Sequence, residues 1–152
     1  MRVSAKSDYA LRALIEIASR SDGAPVSAEE LGRLQDIPHG FLQAILADLR
    51  RAGIVLSVRG QSGGWRLGRP SGDVSVADII RAVDGPLVSV HGRPPEAVAY
   101  TGSAETLQQV WIAVRSSLRE VLEQVSIAHL LAKELPAVAV DRTQAADAWR
   151  RR

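Results

Sequence analysis

The sequence contains no cysteine in 152 residues. That absence excludes disulfides, thiol nucleophiles, cysteine zinc sites and thiolate-held iron–sulfur clusters. No stretch approaches the roughly 18 uninterrupted apolar residues that a membrane span needs. Charge interrupts the opening MRVSAKSDYALRAL where a secretory signal would be apolar, so a cytoplasmic chain with no membrane partner is expected. Catalytic signatures are missing as well: no nucleophile is paired with a base, no phosphate loop follows a strand, and His39, His91 and His129 lack metal-ligand spacing. The expectation is therefore no enzyme, no catalytic residue, no metal ligand and no cofactor. One absence is local, since no Asp or Glu occurs between Arg50 and Arg69.

What is present is a folded chain of ordinary composition, with 46% hydrophobic and 24% charged residues. Its length suits one domain with a sizeable core, or a small domain with an appended element. The formal charge of +2 hides a division. Residues 1–70 hold ten Lys/Arg against seven Asp/Glu, residues 71–148 hold six against ten, and the last four residues add three arginines. Arg50, Arg51, Arg59, Arg66 and Arg69 all fall in the acid-free run, so the basic charge is concentrated there.

Periodicity predicts mostly helix. Tyr9, Ala10, Ala13, Leu14, Ile17 and Ala18 recur at helical spacing over about residues 4–20, and SDGAP then breaks the pattern. Ser27 and Glu30 form a capping-box pattern, which predicts a short helix carrying Leu31 and Leu34 inward and ending near Asp36. Pro38 disfavours helix at Ile37 and suits the first turn of a new helix. That helix, about residues 38–52, should bury Phe41, Leu42, Ile45, Leu46 and Leu49 and stop at Gly53. Its other face shows His39, Gln43, Ala47, Arg50 and Arg51. Two helices joined so tightly, the second with a small, polar and basic face, make a helix-turn-helix pattern, which places the second helix in the major groove. Ordinary helical bundles contain the same geometry, so this pattern alone leaves two readings.

The stretch SVRGQSGGWRLGRP narrows the choice. Ile54–Val58 and WRLG at 65–68 read as short strands, and RGQSGG is a glycine-rich turn between them. A β-hairpin directly after a recognition helix is a wing. Its tip can follow the backbone or put Arg59 into the minor groove, while glycines 60, 63 and 64 let main-chain amides approach phosphate. On its own such a hairpin also reads as a solvated surface element, whereas helix and wing together point to double-stranded DNA. A winged-helix module for protein or RNA contacts is the alternative, and it would bind without a steep salt dependence on duplex DNA.

Beyond the wing, SVADIIRAVDG predicts a helix capped by Ser75, with Val76, Ile79, Ile80 and Val83 on one face and Gly85 closing it. Residues 86–103 have no helical period and read as a long loop. Leu107, Trp111, Val114, Leu118, Val121 and Val125 then follow alternating spacings of four and three, with Val110 and Leu122 widening the seam. A helix over about 104–125 with that seam is expected to pair with a second copy. Ile127, Leu130 and Leu131 suggest a further short helix, and the chain from about Pro136 reads as weakly structured. The expected fold is mainly α with a small β-hairpin wing: a winged helix-turn-helix unit over 1–85, an effector or linker loop over 86–103, dimerisation helices over 104–135 and a tail over 136–152.

KSDYALRAL, FLQAILADLRRAGIVLSVRGQSGGWRLGRP and SVADIIRAVDG together resemble the Rrf2 family of bacterial winged helix-turn-helix transcription regulators, over about residues 1–135. Trp65 stands where the family's wing more often has tyrosine. The resemblance implies a homodimeric regulator, with repression the expected mode, on a roughly palindromic operator. It implies DNA contacts at His39, Gly40 and Gln43 and in the wing at Arg59, Gly60 and Gln61, with Gly63 and Gly64 shaping the turn; Arg50 and Arg51 are expected at phosphates from their charge on the helix face, and Ser27 is a further candidate contact. Family members often carry an acid where Gln43 stands, and an amide can pair with adenine in both directions.

Many members hold an iron–sulfur cluster through three cysteines in the loop corresponding to 86–103. This sequence has none, and Asp8, in the place of an acidic ligand, reads as a helix-start residue. The resemblance therefore implies a cluster-less branch that includes regulators of cysteine and sulfur-assimilation genes, responding to a small metabolite or a partner enzyme. His91, Arg93, Tyr100 and Trp111 are candidates for lining an effector pocket, although Tyr100 and Trp111 read more readily as packing residues.

Overall fold

A computed structural model describes residues 2–150 of the chain; the arginines at 151 and 152 lie outside the described residues. The first helix, α1, runs Ala5–Ala18 behind a Ser4 cap whose hydroxyl accepts from the Ser7 amide at 2.9 Å. It buries Ala10, Ala13, Leu14 and Ile17, the stripe its period predicts. The second, α2 (Ala28–Gln35), is capped by Ser27, which accepts from the Glu30 amide at 3.1 Å. Only half of the expected capping box forms, because the Glu30 carboxylate turns to Arg20 at 2.9 Å. Leu31 is buried, whereas Leu34, expected inside, is 40% exposed. Ile37, from the turn that follows, is buried instead.

That turn is tight for identifiable reasons. Asp36 takes a left-handed conformation at φ 49°, and the Ile37 amide reaches back to the Gly32 carbonyl at 3.0 Å. A Cβ on Gly32 would come within 3.2 Å of the Ile37 carbonyl, so the residue there must be small. The third helix, α3, follows at His39–Arg51 and buries Leu42, Ile45, Leu46 and Leu49. Phe41 does not join them, being 50% exposed. Its ring lies edge-on to Tyr9 at 5.8 Å, on the outside of the α1–α3 contact.

Strands β1 (Val55–Val58) and β2 (Gly64–Leu67) form an antiparallel hairpin, registered from Val55 opposite Leu67 to Val58 opposite Gly64. Trp65 also exchanges both main-chain hydrogen bonds with Val26, at 2.8 and 3.0 Å, so the approach to α2 lies against the outer side of β2. Helix α4 (Val76–Asp84) carries a full capping box between Ser75 and Asp78. A long connection leads to α5 (Leu107–Leu122), α6 (Ile127–Ala132) and α7 (Ala137–Gln144). No helix among the described residues is long and apolar enough to cross a membrane.

One core joins α1, α2, α3, the hairpin and α4, and it includes a residue from far along the chain. Ile127 of α6 is fully buried in it, with Leu130 and Leu131 packed alongside. Two main-chain bonds fasten this return, Val76 N–H to Val125 O at 2.8 Å and Ile127 N–H to Val74 O at 3.0 Å. Packing therefore groups α6 with the N-terminal unit, which differs from the grouping of 104–135 as dimerisation helices. Val125, expected on the seam, is 6% exposed and packs against Val76 and Ala139 of its own chain. Residues 137–144 fold as α7 where a weakly structured tail was expected: Ala139 fills that small second cluster, and Arg142 pairs with Glu120 of α5 at 3.1 Å.

Candidate nucleic-acid interface

Helix α3 presents His39, Gly40, Gln43, Ala44, Ala47 and Arg50 as an exposed strip. His39 and Gln43 are one turn apart near its N-terminus, and Gly40, Ala44 and Ala47 on the same strip are small. Gly40 is informative. It lies in a helix, nothing lies within 4 Å of where its Cβ would be, and its φ is ordinary, so the fold does not require glycine there. Glycine is less favourable than alanine by roughly 0.5–1 kcal/mol in a helix interior, and its lack of a side chain here leaves the strip open to close approach.

The wing is held by its glycines in distinct ways. A Cβ on Gly63 would lie 2.2 Å from the Val58 carbonyl, inside a turn closed by Gly63 N–H to Gly60 O at 3.0 Å. Gly64, at φ 149°, would place a Cβ 2.4 Å from the Val26 carbonyl and 2.9 Å from the Ser27 amide. These two glycines let the hairpin fold and dock beside the start of α2, so Ser27 sits at the wing's base. Gly60 has φ 110° and open space around it, at the exposed tip with Arg59 and Gln61.

The charge available at this surface is smaller than a count of arginines implies. Among the described residues no hydrogen bond or ion pair engages the side chains of Arg50, Arg59 or Arg66. Arg51 is tied to Asp48 at 2.8 Å, and Arg69 stands 4.0 Å from Asp78. Asp48 is the residue that sequence reasoning missed. Lys6 of α1 donates to it at 2.6 Å and also to the Val83 carbonyl at 2.8 Å, so one ammonium joins α1, α3 and the end of α4. The Lys6 hydrogen bond, with help from Arg51, holds the Asp48 carboxyl below its ordinary value although burial opposes this. Lys6 and Asp48 are 42 positions apart, so no local pattern signals the pair. Arg12 similarly braces the helix-turn-helix, bonding the Gln35 carbonyl while its guanidinium lies 5.4 Å from the centre of the Tyr9 ring.

Along α5 no residue is buried. Leu107, Trp111, Leu118 and Val121 are half-buried, Val114 is exposed, and Val110 is 49% exposed. The Trp111 indole donates to the Tyr100 hydroxyl at 3.2 Å. A cavity of about 660 Å³ brings His91 and Trp111 together with Leu87, Val90 and Val114. Tyr100 is coupled to it through Trp111. Arg93 is not part of its lining; it pairs with Val90 through the main chain at 2.9 and 3.0 Å.

The Rrf2 family, described as an iron-dependent transcriptional regulator, matches residues 3–133. A Mycobacterium tuberculosis protein assigned as an HTH-type transcriptional regulator is 41% identical over 136 residues, which is 90% of this chain and 84% of the relative. The regulator CymR of Bacillus subtilis is 30% identical over 130 residues, covering 86% of this chain and 89% of CymR. A solved structure of that CymR, described as the global cysteine regulator of B. subtilis, aligns with a TM-score of 0.71 at 28% identity, over 88% of this chain and 98% of CymR. IscR of T. potens aligns with a TM-score of 0.71 at 32% identity, over 88% of each chain. The iron of the family description finds no fitting ligands here. The chain has no cysteine, and among the described residues no three His, Asp or Glu side chains gather where they would hold a metal. Asp8 is engaged with Arg12 at 3.4 Å in the first turn of α1. In fold and along nearly its whole length, the chain belongs to the Rrf2 family of winged helix-turn-helix, DNA-binding transcriptional regulators.

Proposed function

We propose that the protein acts as a homodimeric repressor on a roughly palindromic operator, without iron. In this reading His39 and Gln43 meet base edges, Gly40 permits close approach, and Arg50 and Arg51 meet phosphates. Arg59, Gly60 and Gln61 form the wing contact, Gly63 and Gly64 set its shape, and Ser27 offers its hydroxyl to phosphate beside the wing's base. The observation that carries the dimer is α5: sixteen residues without one buried, with Val110, Ile112 and Val114 exposed and Leu107 and Trp111 half-buried beside them. An apolar stripe of that length is stabilised by a matching stripe, and a two-fold pair supplies it. Val125 is taken by the chain's own core and drops out of the interface; Leu118 and Val121 border it.

Sulfur-assimilation genes are the proposed targets, on the likeness to CymR. A small metabolite or a partner enzyme is the proposed signal, reaching the dimer through the 86–103 loop.

The experiment is selection of duplexes from a random library, followed by titration of the selected duplex at several salt concentrations. An inverted repeat with half-sites about one helical turn apart and a steep fall of affinity with salt is expected. A single unrepeated site, or affinity indifferent to salt, would contradict the proposal.

A further inference from the structure

Residues 71–148 are net acidic, yet three of their six basic residues, Arg81, Arg115 and Arg119, converge on one cavity of about 510 Å³. Arg81 comes from the last turns of α4. Arg115 and Arg119 stand one turn apart on α5, so their guanidiniums lie on one strip of that helix. Leu87, Val88 and Pro94 of the connecting loop give the cavity an apolar floor, and Glu96 is the single carboxylate in its lining.

The arginines are held in place and are not saturated. Glu123, from beside the cavity, accepts from Arg81 at 2.5 Å and from the Nε of Arg119 at 2.9 Å, and Glu96 accepts from Arg115 at 2.5 Å. Both carboxyls are held below the ordinary glutamate value, Glu96 by its own backbone amide and by Arg115, Glu123 by Arg81 and then Arg119. Each guanidinium has five N–H donors, so donors remain on all three for a further carboxylate. With 3.6 residues per turn, Arg115 and Arg119 lie about 140° around α5 from the Val110–Val114 pair. The two arginines therefore face away from that pair.

We propose that the cavity is a receptor site for a small organic carboxylate, an anion with a short apolar body, which bridges Arg81 of the reading unit to Arg115 and Arg119 of α5. The regulatory consequence rests on the proposed dimer: an anion tying α5 to α4 fixes how the two reading units are spaced. The binding itself rests only on the cavity. It is read without DNA, so its failure and failure of operator binding are separate results.

The test is isothermal calorimetry and thermal unfolding of the full chain with succinate and with isovalerate, at constant ionic strength against chloride. One saturable site per chain is expected, with a rise in unfolding temperature that follows occupancy. Arg119→Gln and Arg115→Gln should each weaken binding by about tenfold or more, the scale of one charge-assisted pair. Glu96→Gln should tighten it, because a competing carboxylate is removed; a purely structural Arg115–Glu96 link predicts no gain. Should Arg115→Gln fail to fold, Arg119→Gln, on a more exposed side chain, decides the matter. Responses no greater than chloride for both acids, or unchanged affinity in the arginine variants, would overturn the proposal.

Discussion

Arg51 and Arg59 carry the same charge and differ in what it costs to bring that charge to a phosphate. Arg51 gives up Asp48 to do so, whereas Arg59 has nothing to give up. Arg59→Ala is therefore expected to weaken duplex binding and to lower the slope of log affinity against log salt by about one, read by fluorescence anisotropy at several salt concentrations. Gln43→Ala should leave that slope alone and lose about 1–3 kcal/mol of discrimination at one base pair, read from a panel of single-base variants. Gly40→Ala should raise the unfolding free energy by roughly 0.5–1 kcal/mol while lowering operator affinity, a pairing that separates a recognition role from a folding one. Asp48 makes a pH prediction. Its folded-state carboxyl is held below the ordinary 3.8 by Lys6 first, so its contribution is present above that value and is lost as pH falls through the folded one. The stability gap between the wild type and Asp48→Asn should thus hold at neutral pH and close as the solution is acidified below 3.8.

Among elements, the wing is fastened to the start of α2 at Gly64 and Trp65. A methyl group at position 64 would meet the Val26 carbonyl, so Gly64→Ala should detach the hairpin, lowering DNA affinity with α-helical circular dichroism retained. Gly60→Ala, in open space, should cost stability only through its positive φ. Local signals made the helices and the hairpin legible in the sequence: the Ser75 cap with Asp78, the stripe Ala10–Ile17, the glycines between the strands. They did not settle what covers each stripe. Phe41 and Leu34 have the period of core residues and are instead about half exposed, with Ile37 buried from the turn between them and the Phe41 ring set against Tyr9. The α5 seam reads as one surface, yet its Val125 end packs on Val76 and Ala139 of the same chain. Helix α6 read as part of the dimerisation region, and its Ile127 lies in the core of the N-terminal unit. Ile127→Ala should accordingly cost about 2–5 kcal/mol, measured by urea unfolding, which is the penalty for emptying a buried site and not that of an exposed rod. The Lys6–Asp48 contact, like the gathering of Arg81 with Arg115 and Arg119, joins residues too far apart in sequence for any pattern to show.

At the scale of the whole molecule the charge division acquires a physical sense: net basic charge over residues 1–70, net acidic charge over 71–148, and an apolar stripe on α5 that its own fold covers only in part. Cutting the chain before α5 would also remove Ile127 from the core, so truncation would confuse folding with association. Charges placed on the stripe avoid this, and Val110→Asp with Val114→Asp is expected to give a folded monomer. Sedimentation of the full chain with a duplex carrying the selected inverted repeat tests the account most directly. The account predicts two chains per duplex for the wild type, and for the doubly substituted protein one chain at a time with affinity lower by orders of magnitude, since the half-sites are no longer linked. One wild-type chain per duplex at full affinity, or two chains bound as tightly by the Val110→Asp, Val114→Asp protein, would contradict it.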